Sequence, residues 1–86
     1  MYLHLGGETV VRTEDILSIC DLDNASYSRN TRDFLARAEK EGRVVSASEE
    51  LPKSFVVTQE TDGHRVYLSQ LNSATLFKRA ENGSLE

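Results

Sequence analysis

Tryptophan is absent from this 86-residue chain, and cysteine, proline and methionine occur once each. A single thiol rules out a disulfide framework. One cysteine with two histidines gives no spaced set of zinc ligands. No stretch approaches the ~18 consecutive apolar residues that a membrane span needs. The opening MYLHLGG lacks a basic region and a long apolar region, so it does not read as a signal peptide. An unpaired cysteine without an export signal points to a cytoplasmic location. Positive charge is also short, with 10 bases against 14 acids and a net charge of −4. Bulk charge therefore does not draw this chain to nucleic acid. Any such role requires its bases to be gathered on one face or multiplied by symmetry.

The length fits one domain, which we place at residues 1–80. Residues 81–86 form a tail whose final Leu85-Glu86 resembles a cloning junction. A domain this small buries a modest fraction of its surface. With neither disulfides nor a metal to staple it, self-association is the expected further source of stability.

The stretch RVVSASEELPKSFVV divides into two apolar segments, 43–48 and 54–59, joined by a polar loop. Pro52 lies in that loop and cannot donate to a sheet ladder, so the segments read as strands on either side of a stiffened turn that projects Lys53. Gly6-Gly7 between segments 2–5 and 8–11 predicts a hairpin, as does Asp62-Gly63 between 54–59 and 65–69. Segment 16–21 has two readings. Thr13 with Ile16, Ile19 and Cys20 fits a capped helical turn, whereas the β-branched residues and the short length fit a strand. The strand is favoured because so short a helix is weak in isolation.

Segment 28–41 carries the clearest helical pattern, with Ser28 or Asn30 as cap. Phe34, Leu35 and Ala38 form its apolar stripe, Asp33 and Arg37 an i, i+4 pair, and Gly42 the stop. A last helix over 73–80, capped by Asn72 or Ser73, would pack Leu76 and Phe77 and expose Lys78 and Arg79. These elements predict an α+β fold: a small antiparallel sheet of about five strands, one main helix on a face and a short C-terminal helix. The N-terminal hairpin and last helix hold more apolar residues than one small core requires and are the expected subunit contacts.

Little here supports catalysis. His4 and His64 stand apart from any nucleophile in sequence, and Cys20 occupies an apolar position that reads as an inert buried thiol. Glu14-Asp15 and Glu49-Glu50 read as solvated loop carboxylates. Gly6-Gly7 lacks the spacing of a phosphate loop. We expect neither an enzyme nor a bound cofactor. The bases are the remaining candidates: Arg29, Arg32, Arg37 and Lys40 on the main helix, Arg43 after it, Lys53 in the proline loop, and Lys78-Arg79. Phosphate binding needs summed positive potential more than a motif.

Taken in order, MYLHLGG, TEDILSICD, TRDFL, PKSFV and the ending VYLS…TLFKRA resemble the RemB-like branch of the extracellular-matrix regulatory (RemA/RemB) family of Gram-positive, spore-forming bacteria. The resemblance runs from Met1 to about Ala80. It implies DNA-binding transcriptional regulation of biofilm matrix operons by ring-shaped homo-oligomers. It also implies DNA contacts from an arginine ahead of strand 16–20 and from an arginine pair in the loop over 50–54. Here the first position holds Glu14 and the pair falls near Leu51-Pro52, leaving Lys53 with Ser54 as a neutral donor. The implied DNA-contacting set is thus Lys53 and Ser54, to which the basic helix adds Arg32, Arg37 and Arg43. The alternative is an oligomeric interaction module that binds no DNA and partners a RemA-type regulator. Glu14 and the acidic total favour that alternative.

Overall fold

Strand β5 (Ser54–Glu60) organises the molecule: its first five residues are all buried. The computed structural model describes residues 1–22 and 29–82. β5 lies inside a four-stranded sheet, flanked by β3 (Ile16–Asp21) and β6 (Gly63–Ser69), with β4 (Val44–Ser46) outside β6. Successive side chains of a strand point to opposite faces, and both faces of β5 are covered. Phe55 and Val57 join Val66, Leu68 and Val44 on one face, beneath helix α1 (Arg29–Lys40). Val56 joins Tyr67, Ile19 and Val45 on the other. A separate two-stranded hairpin, β1 (Tyr2–Gly6) and β2 (Thr9–Arg12), covers that second face together with helix α2 (Ser73–Asn82). Leu3, Leu5 and Leu76 are fully buried there.

The α+β class and both predicted hairpins are present. The segment after the polar run 13–15 is a strand, and that run is itself a single 3-10 turn, Thr13–Asp15. Two details depart from one antiparallel five-stranded sheet. The N-terminal hairpin stacks on the main sheet instead of extending it, so the sheets have two and four strands. β4 also runs parallel to β6, with Val44 opposite Val66 and Ser46 opposite Leu68. The cause is α1: a chain that crosses a sheet through a helix returns parallel. Segments 43–48 and 54–59 are therefore strands but not neighbours, because β6 lies between β4 and β5.

The helix boundaries follow local chemistry. Gly42, at φ +73, ends α1. The Arg43 N–H donates to Ala38 O at 2.8 Å and the Gly42 N–H to Glu39 O at 3.1 Å, which together make a Schellman cap. Asn72 caps α2, its Oδ1 accepting the Thr75 N–H at 2.8 Å. The expected Ser28 cap of α1 lies outside the described residues, as does the Leu85-Glu86 junction. Phe77, expected to be packed, is 49% exposed. Leu76 and Ala80 occupy the buried side of α2, and Phe77 stands a hundred degrees round from Leu76. Arg79 is half-buried and donates to His4 O at 3.4 Å, which ties α2 to β1.

Gly7 fixes how closely the hairpin approaches the rest of the chain. Its φ is +54, and a Cβ there would stand 2.6 Å from the backbone oxygen of Ala47. The hairpin therefore rests directly on the first residue of the segment that leads from β4 to β5.

Candidate nucleic-acid interface

The cations separate by layer. Helix α1 carries Arg29, Arg32, Arg37 and Lys40 with only Asp33 and Glu39 as acids. All four cations are exposed, and none forms an ion pair among the described residues. The expected Asp33–Arg37 pair is likewise not formed among them. Helical geometry sets Arg29 and Lys40 close to the middle of the outward face. Arg32 and Arg37 fall on opposite flanks, Arg37 on the side of Phe34 and Arg32 on that of Leu35. Sequence reasoning grouped these two as one site, but they straddle the helix.

Arg29 and Arg32 sit in the first turn of α1, which contains no acid. The positive end of the helix dipole opposes cations there by about 0.3–1 kcal/mol each. Helix stability therefore does not account for these two arginines. Arg37 and Lys40, in the last turn, suit the dipole.

The remaining predicted contacts divide. Lys53 is exposed, and the backbone holds it in place: its N–H donates to Ser69 O and its carbonyl accepts from Leu22 N–H, at 2.8 and 2.9 Å. Ser54 is fully buried and its hydroxyl donates to Leu71 O at 2.8 Å. The expectation that Ser54 offers a surface donor is thus corrected, because its side chain belongs to the core face. Arg43 is spent on structure. Its guanidinium donates to Asp62 O and His64 O, both at 3.0 Å, and meets Glu41 at 3.4 Å. It braces the β5–β6 turn against the end of α1 and has little left for a phosphate.

Glu14, whose charge stands where the resemblance implies an arginine, is not a free anion. Arg12 donates to it at 2.9 Å and the N-terminal ammonium lies at 3.6 Å. The hydrogen bond from Arg12 holds the Glu14 carboxyl below its ordinary value, helped by the positive charges around it. Arg12 was not singled out in the sequence; the i, i+2 strand-to-turn spacing is its only sequence signal.

A second group also escaped sequence reasoning. At the turn end of β5–β6, the Tyr67 hydroxyl donates to Glu60 Oε2 at 2.7 Å, and the Thr58 hydroxyl donates to the same oxygen at 2.9 Å. Arg65 bridges Glu60 at 3.1 Å and Asp62 at 3.0 Å. Burial raises the Tyr67 phenol above its ordinary value of 10.0, its bond to Glu60 adds to this, and Arg65 opposes it. The folded state thus favours the neutral phenol. Its contribution to stability is complete below the unfolded value and is lost as pH rises through the folded one. Urea midpoints measured on either side of pH 10.0 should fall more for the native protein than for Tyr67→Phe. Equal falls would show that the network does not couple to folding.

Cys20, expected to be a buried thiol, is half-buried beside Ser18 on the α1 face of the sheet. His64 is exposed at the turn and meets the Phe34 ring edge-on at 6.5 Å. No group of His, Cys, Asp and Glu among the described residues could hold a metal ion. No described helix is long and apolar enough to cross a membrane.

Two comparisons with known proteins bear on this arrangement. Residues 2–80 match the model of the RemA-like family, described as extracellular matrix regulatory protein A-like. The chain is also 41% identical over 81 residues to extracellular matrix regulatory protein B of Bacillus subtilis (strain 168), spanning 94% of this chain and 91% of that protein. Likeness over nearly the whole of both chains, together with the family match, shows that this chain belongs to the RemA-like family of extracellular matrix regulatory proteins.

Proposed function

We propose that this protein regulates extracellular-matrix (biofilm) genes as a homo-oligomer, ring-shaped in the simplest closed form, that docks DNA phosphates on repeated basic surfaces. Lys53 and the outward cations of α1 make those contacts. The observation that carries this reading is the pair Arg29 and Arg32: exposed, without an ion pair among the described residues, and placed where the helix dipole opposes them. One protomer offers too few such charges for useful affinity. Copies held in one assembly add their phosphate contacts at high effective concentration. The names of the family and of its B. subtilis relative support the regulatory part. Mobility shifts of duplex DNA at low and high salt test the reading. A shift at low salt that is lost at high salt is expected, and no shift at low salt would end the DNA half.

One observation favours a second reading. The loop where the resemblance implies an arginine pair instead presents Glu49, Glu50 and Leu51, the last 87% exposed. An acidic loop with a bare leucine suits a protein contact, as in a module that partners a RemA-type regulator without touching DNA. Co-expression with such a regulator would yield a mixed assembly on this reading and two separate ones on the first.

A further inference from the structure

Leu51 is the most exposed large apolar side chain in the described structure. It is not on a loose loop. The Ala47 N–H donates to Leu68 O and the Lys53 N–H to Ser69 O, both at 2.8 Å, so the loop is anchored at each end on β6. Pro52 follows Leu51 and stiffens the segment. Glu49 and Glu50 stand exposed just before it, and neither meets a cation among the described residues.

The complementary shape lies on the α1 face of the same sheet, along β3. The register slips between Ile16 and Ser18, leaving Leu17 outside the ladder and 57% exposed. Among the described residues this leaves an open, mainly apolar groove of about 390 Å³ lined by Leu17, Cys20, Phe34, Phe55 and Val57, with Ser18, Asn30 and Thr31 beside them. Phe34 and His64 form one wall of the groove and are shared with an adjoining cleft that contains Arg37. Glu41 also lines that cleft, but Arg43 holds it at 3.4 Å.

We infer that the loop of one copy docks in this groove of a second copy, Leu51 filling the apolar part and Glu49 or Glu50 facing Arg37 and His64. Three observations choose a second copy as the occupant. The knob and the groove belong to the same chain. They carry opposite charge beside matching apolar surface. They also lie towards opposite ends of the strands, since the loop joins β4 to β5 at the end where Asp21 pairs with Ser54, whereas the groove reaches towards the other end at Leu17, Val57 and His64. The contact is therefore heterologous, and repeating it closes a ring or extends a filament. A preset loop keeps the ordering cost of docking low. This inference rests on the self-association part of the proposed function and not on its DNA part.

Light scattering on Leu51→Glu and Leu17→Glu tests it. Both positions are exposed, so both variants should fold, which circular dichroism checks. Each change should weaken association about tenfold or more and yield monomers. An equimolar mixture should give a one-to-one dimer, because Leu51→Glu keeps its groove and Leu17→Glu keeps its loop. An assembled native protein with Leu51→Glu of unchanged mass would overturn the docking while leaving self-association intact. Two monomeric variants that do not pair would also overturn it. A native protein that stays monomeric at high concentration would remove the self-association reading and the docking together.

Discussion

Phe55→Ala is expected to lower the free energy of unfolding by about 3–5 kcal/mol, read as a shift of the urea midpoint by circular dichroism. Phe55 is 2% exposed and is the second residue of β5, beneath α1. Its ring packs with Ala38 from the helix and with Val57 and Val66 from the sheet. Backbone pairs with β3 and β6 fix β5 on both sides, so the strand cannot shift to fill the space. A domain of this size holds roughly 5–10 kcal/mol in total, and the substitution would remove a large part of that. Lys78→Ala, at an exposed side chain of α2, should change stability by less than about 0.5 kcal/mol. If both variants unfolded at the native midpoint, β5 would not be the centre of this fold.

Arg29→Glu with Arg32→Glu should move stability and DNA binding in opposite directions. Replacing two cations in the first turn of α1 by anions reverses an unfavourable dipole interaction, so the helix should gain about 0.5–2 kcal/mol in total. The same change removes two phosphate-seeking charges and adds two that repel phosphate, in every copy of the assembly. DNA affinity at low salt should fall by about a hundredfold or more. A merely solvated helix face predicts the gain in stability without any loss of binding. Thermal melts and mobility shifts on one sample of the double variant separate the two cases. Unchanged affinity would move the DNA contact away from α1.

Much of this architecture was legible because it depends on local chemistry. Gly6-Gly7 and Asp62-Gly63 mark turns that need unusual φ, and both are hairpins. Gly42 marks the end of α1 through the αL cap it alone forms easily. The stripe Phe34, Leu35, Ala38 gave the buried face of that helix. What stayed hidden depends on distant partners. Nothing within residues 43–48 reveals that their strand pairs parallel with β6 instead of forming a hairpin with β5. That choice follows from where α1 delivers the chain. Phe77 looks as apolar as Leu76, and only the docking angle of α2 decides which is buried.

The site was less legible than the fold for the same reason. A serine beside a lysine in a polar loop reads as a surface donor, yet Ser54 already begins the buried strand. Arg43 reads as a free base, yet the carbonyls of a turn about twenty residues away claim it. Glu14 reads as a repelling charge, but Arg12 and the N-terminus meet it. Charge counts do not reveal pairing. The cations of α1 could be read because helical periodicity alone turns them outward.

The central claim is that copies of an acidic chain pool a few outward cations each into one DNA-binding surface. The most direct test is the affinity of the native assembly for duplex DNA titrated across salt concentrations. The claim predicts a linear fall of log affinity with log salt, steep enough for several phosphates. It also predicts a shallower slope once Arg29 and Arg32 are replaced. Absence of binding at low salt, or a slope near zero, would contradict it.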